Sequence, residues 1–172
     1  MRSAERGTRS AEHEVGMRMV RIESNNNEGT QRMNNENLKQ RTRQFALAVI
    51  KLIETLPRDR VSDVLGRQLL RSGTSVGANY RSATRARSAA DFVAKMGLVE
   101  EEADESAYWT DLLEATGRLS STTALPIMQE AGELTAIAIA SIRTARRTAA
   151  ESRPDEARRP VPRSALRVPR SP

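Results

Sequence analysis

The chain has 172 residues, a net charge of +6, 38% hydrophobic and 3% aromatic residues, and no cysteine. That length suits one domain with tails, and the low apolar content points to a single modest core. Without cysteine there are no disulfides or thiolate metal sites, and no apolar run approaches the roughly 20 residues of a membrane span.

Residues 1–33 are rich in Arg, Glu, Asn, Gly and Ser without a sustained apolar period, and read as an unfolded tail. Met17, Met19 and Met33 are alternative starts, and the helical pattern begins directly after Met33. The expectation is that some or all of the residues before Met33 extend the natural chain. No signal-peptide apolar region precedes the pattern, so a soluble cytoplasmic protein is expected.

Residues 34–149 read as the folded part. A first helix is expected from about Asn34 to Leu56, with Phe45, Val49, Leu52, Ile53 and Leu56 as its apolar stripe and Pro57 as its stop. A second is expected from about Arg58 to Arg85, with Leu65, Leu69, Ser72, Val76, Tyr80 and Ala83 on one side. Gly66, Gly73 and Gly77 thin its middle at a cost of roughly 1 kcal/mol each against Ala, which fits close approach of another helix backbone. A third is expected from about Ala89 to Ala115, restarted by a Ser88/Asp91 capping box and stopped at Gly117. Its inner side is Phe92, Met96, Val99, Ala103, Ser106, Thr110 and Leu113.

The run Ser120–Thr123 reads as a turn and cap, with Pro126 in the first turn of a fourth helix from about Leu125 to Thr148. Its segment 134–142 is apolar most of the way round, which predicts packing on two sides and favours an oligomer. Residues 150–172 carry five prolines and six arginines and read as a second unfolded tail. The fold class is therefore all-α, an up-down antiparallel four-helix bundle between two tails.

Charge is unevenly spread. Residues 1–33 hold six basic and five acidic side chains, 34–149 sixteen and fourteen, and 150–172 six and three. The bundle is thus nearly balanced and the C-terminal tail is basic, suited to phosphate or simply to solubility.

Helix three concentrates acids at Glu100, Glu101, Glu102, Asp104 and Glu105. Carboxylates inside a bundle can hold two iron ions, but that site needs Glu-x-x-His pairs, and the one histidine is His13 in the first tail. No metal or other cofactor is therefore expected. Nor is there a nucleophile–base pair or a glycine-rich phosphate loop, so an enzyme is not expected. With Val99 facing the core, Glu100, Glu101 and Asp104 point outward, Glu102 lies beside the core and Glu105 just outside it. A half-buried Glu102 needs a cation, and the arginines of helix two are the nearest supply.

On the outer face of helix two, Arg67, Arg71, Arg81 and Arg85 form a row of about 27 Å with Thr74 and Ala78 between them. Three readings stay open: a track for a nucleic-acid backbone, a seat for a neighbouring subunit's helix, or a solvated face. Arg143, Arg146 and Arg147 end helix four, where cations favour the dipole.

The segments RSGTSVGANYRSA (71–83), DFVAKM (91–96) and EADESAYW (102–109), followed by Leu112 and Leu113, resemble the bacterial four-helix-bundle family of 23S ribosomal RNA intervening-sequence proteins. That family is related to the accessory variability determinants of diversity-generating retroelements. NLKQRTRQFALAVI (37–50) and ELTAI (133–137) resemble its first and fourth helices. The resemblance covers residues 34–148. It implies a ring-like homopentamer and, for retroelement members, binding of a reverse transcriptase and of nucleic acid through a basic surface. It marks Gly73, Gly77, Asn79, Tyr80, Glu102, Glu105 and Trp109 as residues of structure and assembly, with Arg71 and Arg81 open to either role. Two function classes follow. One is a non-catalytic protein for nucleic acid, RNA before DNA, using Arg67, Arg71, Arg81, Arg85, Arg143, Arg146 and Arg147. The other is a homo-oligomeric scaffold for a protein partner.

Overall fold

The computed structural model describes residues 35–152. Both expected tails therefore lie almost entirely outside the described residues, as does the question of the start at Met33.

Four helices occupy the described residues, with no strand among them: α1 over 35–54, α2 Arg60–Ala83, α3 Ala89–Ala115 and α4 Ser121–Glu151. Links of a few residues force successive helices to run antiparallel, which gives the expected up-down bundle. Each later helix starts on a side-chain cap. Asp59 accepts from the backbone N–H of Val61 and Ser62, Ser88 from that of Asp91, and Ser120 from that of Thr123. At the end of α3, Gly117 takes φ 71°, and the N–H of Arg118 reaches the carbonyl of Leu113 at 2.9 Å, closing the helix with a left-handed glycine.

Helix boundaries differ from expectation mainly in α2 and α4, each for a local reason. α2 is shorter at both ends, because Asp59 caps its start and residues after Ala83 turn toward Ser88. α4 begins four residues early: the Ser120 cap outweighs Pro126, which sits in the second turn and leaves the carbonyl of Thr122 without its usual donor. α4 also runs to Glu151, just past the expected end of the bundle.

One stripe per helix meets at the centre. It comprises Thr42, Phe45, Val49 and Leu52 of α1; Leu69, Ser72, Val76, Tyr80 and Ala83 of α2; Met96, Val99, Ala103, Ser106, Thr110 and Leu113 of α3; and Ala124, Ile127, Ala131, Leu134, Ala138 and Ile142 of α4. α4 buries this single stripe within the chain; Ala136 and Ala140 are exposed and Ile137 and Ile139 half-buried. Many core residues are small, so the helices sit close together. The tightest seam joins α1 to α2. A Cβ on Gly73 would lie 2.8 Å from Cγ2 of Val49, and one on Gly77 would lie 3.4 Å from the backbone oxygen of Thr42. The helix that the thin middle of α2 admits is thus the chain's own α1. Between α2 and α3 the buried hydroxyls of Ser72 and Ser106 stand 3.0 Å apart, and Ser106 donates to the carbonyl of Glu102.

Candidate nucleic-acid interface

The four arginines of the expected row are exposed, but Arg85 lies past the end of α2 in the turn to α3, and the four do different things. Arg71 is committed to α3. Its Nη1 donates to both carboxylate oxygens of Glu102, at 3.0 and 3.1 Å, and its Nη2 to Glu105. The Glu102 side chain is only 17% exposed while Arg71 is 50% exposed, so this is a rim clamp between neighbouring helices. Glu105 is more open, and Glu101 and Asp104 face solvent.

A second clamp of the same design joins α1 to α4. Arg41 donates from Nε to Glu130 at 2.6 Å and from Nη2 to its other oxygen at 2.8 Å, and also reaches Glu133. Hydrogen bonding to Glu130, then to Glu133, holds the Arg41 guanidinium more firmly protonated than usual. Sequence reading missed this clamp, since the partners are 89 and 92 residues apart. The usable signal was Glu130 and Glu133 at the same i, i+3 spacing as Glu102 and Glu105.

The other arginines of the row are exposed and in no ion pair among the described residues. Arg67 borders a recess near the α1–α2 link, where Glu54 and Asp63 supply opposite charge. Arg81 and Arg85 border another at the far end of α2, together with Asn35, Glu36, Lys39 and Thr84. Sequence reading passed over Lys39, because only the antiparallel pairing of α1 with α2 brings it beside Arg81.

Behind this second recess Tyr80 is 3% exposed, and its hydroxyl donates toward Asn35 at 3.4–3.5 Å. Burial, with the nearby Glu36 carboxylate, pushes the Tyr80 phenol up from its ordinary value. Asn79 beside it is half-buried. Trp109 is half-buried on α3, its Nε1 without a hydrogen-bond partner among the described residues and the Tyr108 ring edge-on at 4.9 Å.

Up-down topology puts the C-terminal ends of α2 and α4 at the same end of the bundle, with the start of α1. Arg143, Arg146 and Arg147 are therefore on the same end as Lys39, Arg81 and Arg85, across a diagonal of about 14 Å if helices pack about 10 Å apart. Glu36, Asp91 and Glu151 are also at this end, but most of the acids of α3 lie further along that helix. α3 carries Asp91, Glu100, Glu101, Glu102, Asp104, Glu105, Asp111 and Glu114 against the single cation Lys95. No cluster of metal-ligating side chains occurs among the described residues, and no described helix is long and apolar enough to cross a membrane.

Comparison with known proteins agrees with this architecture. A solved structure from Bacteroides thetaiotaomicron, a protein of unknown function from the S23 ribosomal protein family, is 35% identical with a TM-score of 0.57. The match covers 60% of this chain and 96% of that one. No curated protein matches the chain. The family model described as 23S rRNA-intervening sequence protein matches residues 34–140, well over half of the chain. With its helices in that order and its arginine–glutamate clamps within the matched region, the chain belongs to the 23S rRNA-intervening sequence protein family.

Proposed function

We propose that this protein is a non-catalytic, homo-oligomeric, cytoplasmic protein that binds structured RNA through the basic end of its bundle. The observation that carries the reading is the gathering there of Lys39, Arg81, Arg85, Arg143, Arg146 and Arg147, of which all five arginines lack an ion pair among the described residues. Uncommitted guanidinium groups at one end suit phosphate, since each contact releases counterions and adds a forked, charge-assisted bond. The family name points to ribosomal RNA as the setting.

Assembly is supported by a separate asymmetry. The outer row of α2 is basic and the outer side of α3 acidic, so one copy's α2 complements the next copy's α3 in a head-to-tail contact of the kind that closes into rings. The same acidic side favours the second reading, a scaffold that holds a protein partner such as a reverse transcriptase.

Fluorescence anisotropy of a structured RNA with the full-length chain, across a salt series, tests the first reading. The expected result is a steep log–log fall in affinity, near −0.9 per phosphate neutralised on a duplex. Failure to bind at low salt, with an oligomeric mass by light scattering, would leave the scaffold reading.

A further inference from the structure

We infer that the recess between the start of α1 and the end of α2 binds a single phosphate group, either of a nucleic-acid backbone or of a chain end. As a statement about RNA it rests on the proposed function; as a statement about phosphate it stands on its own geometry.

The recess has a volume of about 610 Å³ and is lined by Asn35, Glu36, Lys39, Arg81, Thr84 and Arg85. Arg81 stands in the last turn of α2 and Arg85 two residues past its end, and both side chains line the recess. Like charges gathered on one recess repel, and no carboxylate among the described residues lies within ion-pair distance of either arginine. An anion seated between them removes that repulsion and accepts from two guanidinium forks.

Lys39 closes the recess from α1. Its partner is Glu36 at 3.1 Å, and Glu36 is 75% exposed, so the bond is solvated and readily exchanged for a phosphate oxygen. With three cations against one carboxylate the recess carries two net positive charges. The dipoles of α1 and α2 oppose each other at this end, so the side chains decide the sign. The site is also held in shape: buried Tyr80 ties α2 to Asn35, and the glycine seam fixes α1 against α2 one to two turns away. Neither Arg67, beside Glu54 and Asp63, nor Arg71, between Glu102 and Glu105, has such a vacancy of counter-charge.

The test uses the full-length protein with a labelled RNA hairpin carrying either a 5′-phosphate or a 5′-hydroxyl, and inorganic phosphate as a separate probe. In the double variant Arg81→Gln/Arg85→Gln, Gln at 81 keeps the helix propensity of α2, and a urea midpoint no lower than the native one shows that it folds. It is expected to lose at least tenfold in RNA affinity and to flatten the salt slope by about 1 for each phosphate contact removed. Equal loss on both hairpins assigns the recess to the backbone; loss confined to the 5′-phosphate hairpin assigns it to the chain end. Unchanged affinity in the double variant, with the loss appearing in Arg143→Gln/Arg146→Gln, would overturn the recess and leave the RNA reading intact. Conversely, inorganic phosphate shifting the arginine Nε–H signals of the native protein but not of the double variant, without any RNA binding, upholds the recess and removes the RNA reading. No response to either probe overturns both.

Discussion

Arg71 and Arg81 lie ten residues apart on the outer row of α2, in segments that look alike in sequence. Arg71 sits where α2 is packed on both flanks: Gly73 receives Val49 of α1, Ser72 meets Ser106 of α3, and the guanidinium spans Glu102 and Glu105. Arg81 sits past the last glycine of α2, where α3 has no acid within ion-pair reach and α1 presents Lys39. One half of the helix uses its charge for internal cohesion, and the other leaves it for something outside. Residue type does not distinguish the two arginines; the facing helix does.

Breaking the cohesive half is expected to have the largest effect. Gly73→Leu puts a side chain where even a Cβ would be 2.8 Å from Cγ2 and 2.9 Å from Cγ1 of Val49. Overpacking of this kind is expected to lower stability by about 3 kcal/mol, read from the urea midpoint, and Val49→Ala in the same chain should restore part of it. A midpoint that does not move would show that α1 is not seated on Gly73.

Glu102→Ala is next. Had both partners been fully buried, the loss would be about 3–5 kcal/mol. Because Arg71 is half-exposed and can rehydrate, about 2 kcal/mol is expected, as for a charge-assisted bond. RNA affinity should stay at the native level. A large drop in affinity with little loss of stability would transfer Arg71 from the clamp to the binding surface.

The smallest effect concerns the start of α2 and shows mainly in acid. Hydrogen bonding to the Ser62 hydroxyl, then to its N–H, lowers the Asp59 carboxyl from 3.8 to about 2. Since the folded value lies below the unfolded one, the cap's charged form contributes fully above pH about 4. That contribution fades as pH falls through about 2. Asp59→Asn, which still caps but lacks the charge, should flatten the stability profile across that window and lower stability slightly at neutral pH. Parallel profiles for the two proteins would exclude Asp59 as the source.

Local signals made much of the fold legible. The stripe through Phe45, Val49 and Leu52, the Ser88 cap and the left-handed Gly117 each depend on residues within a turn or two, and α3 lies where they place it. Glu102 was legible by angle alone, because Val99 fixes which side of α3 faces inward. The Arg41 clamp and the share of Lys39 in the recess were not, since each needs the pairing of helices distant in sequence. Pro126 misled by suggesting a first turn, when the hydroxyl of Ser120, in contact with Thr122 and Thr123, had already started the helix. For the same reason Arg67, Arg71, Arg81 and Arg85 read as one uniform row in sequence.

The glycine seam acts as a spacer for the far end of the molecule. With no side chain at positions 73 and 77, the separation of α1 and α2 is set by the α2 backbone against the β-branched Val49 and the backbone of Thr42, both of which have little freedom to adjust. Position 73 lies about 12 Å along the axis from Arg81. The gap across which Lys39 faces Arg81 and Arg85 is therefore measured out by residues that touch no ligand. A gap held at fixed width spares a bound anion the entropy of drawing two helices together, so a methyl group added at the seam would be felt as a looser grip at the end.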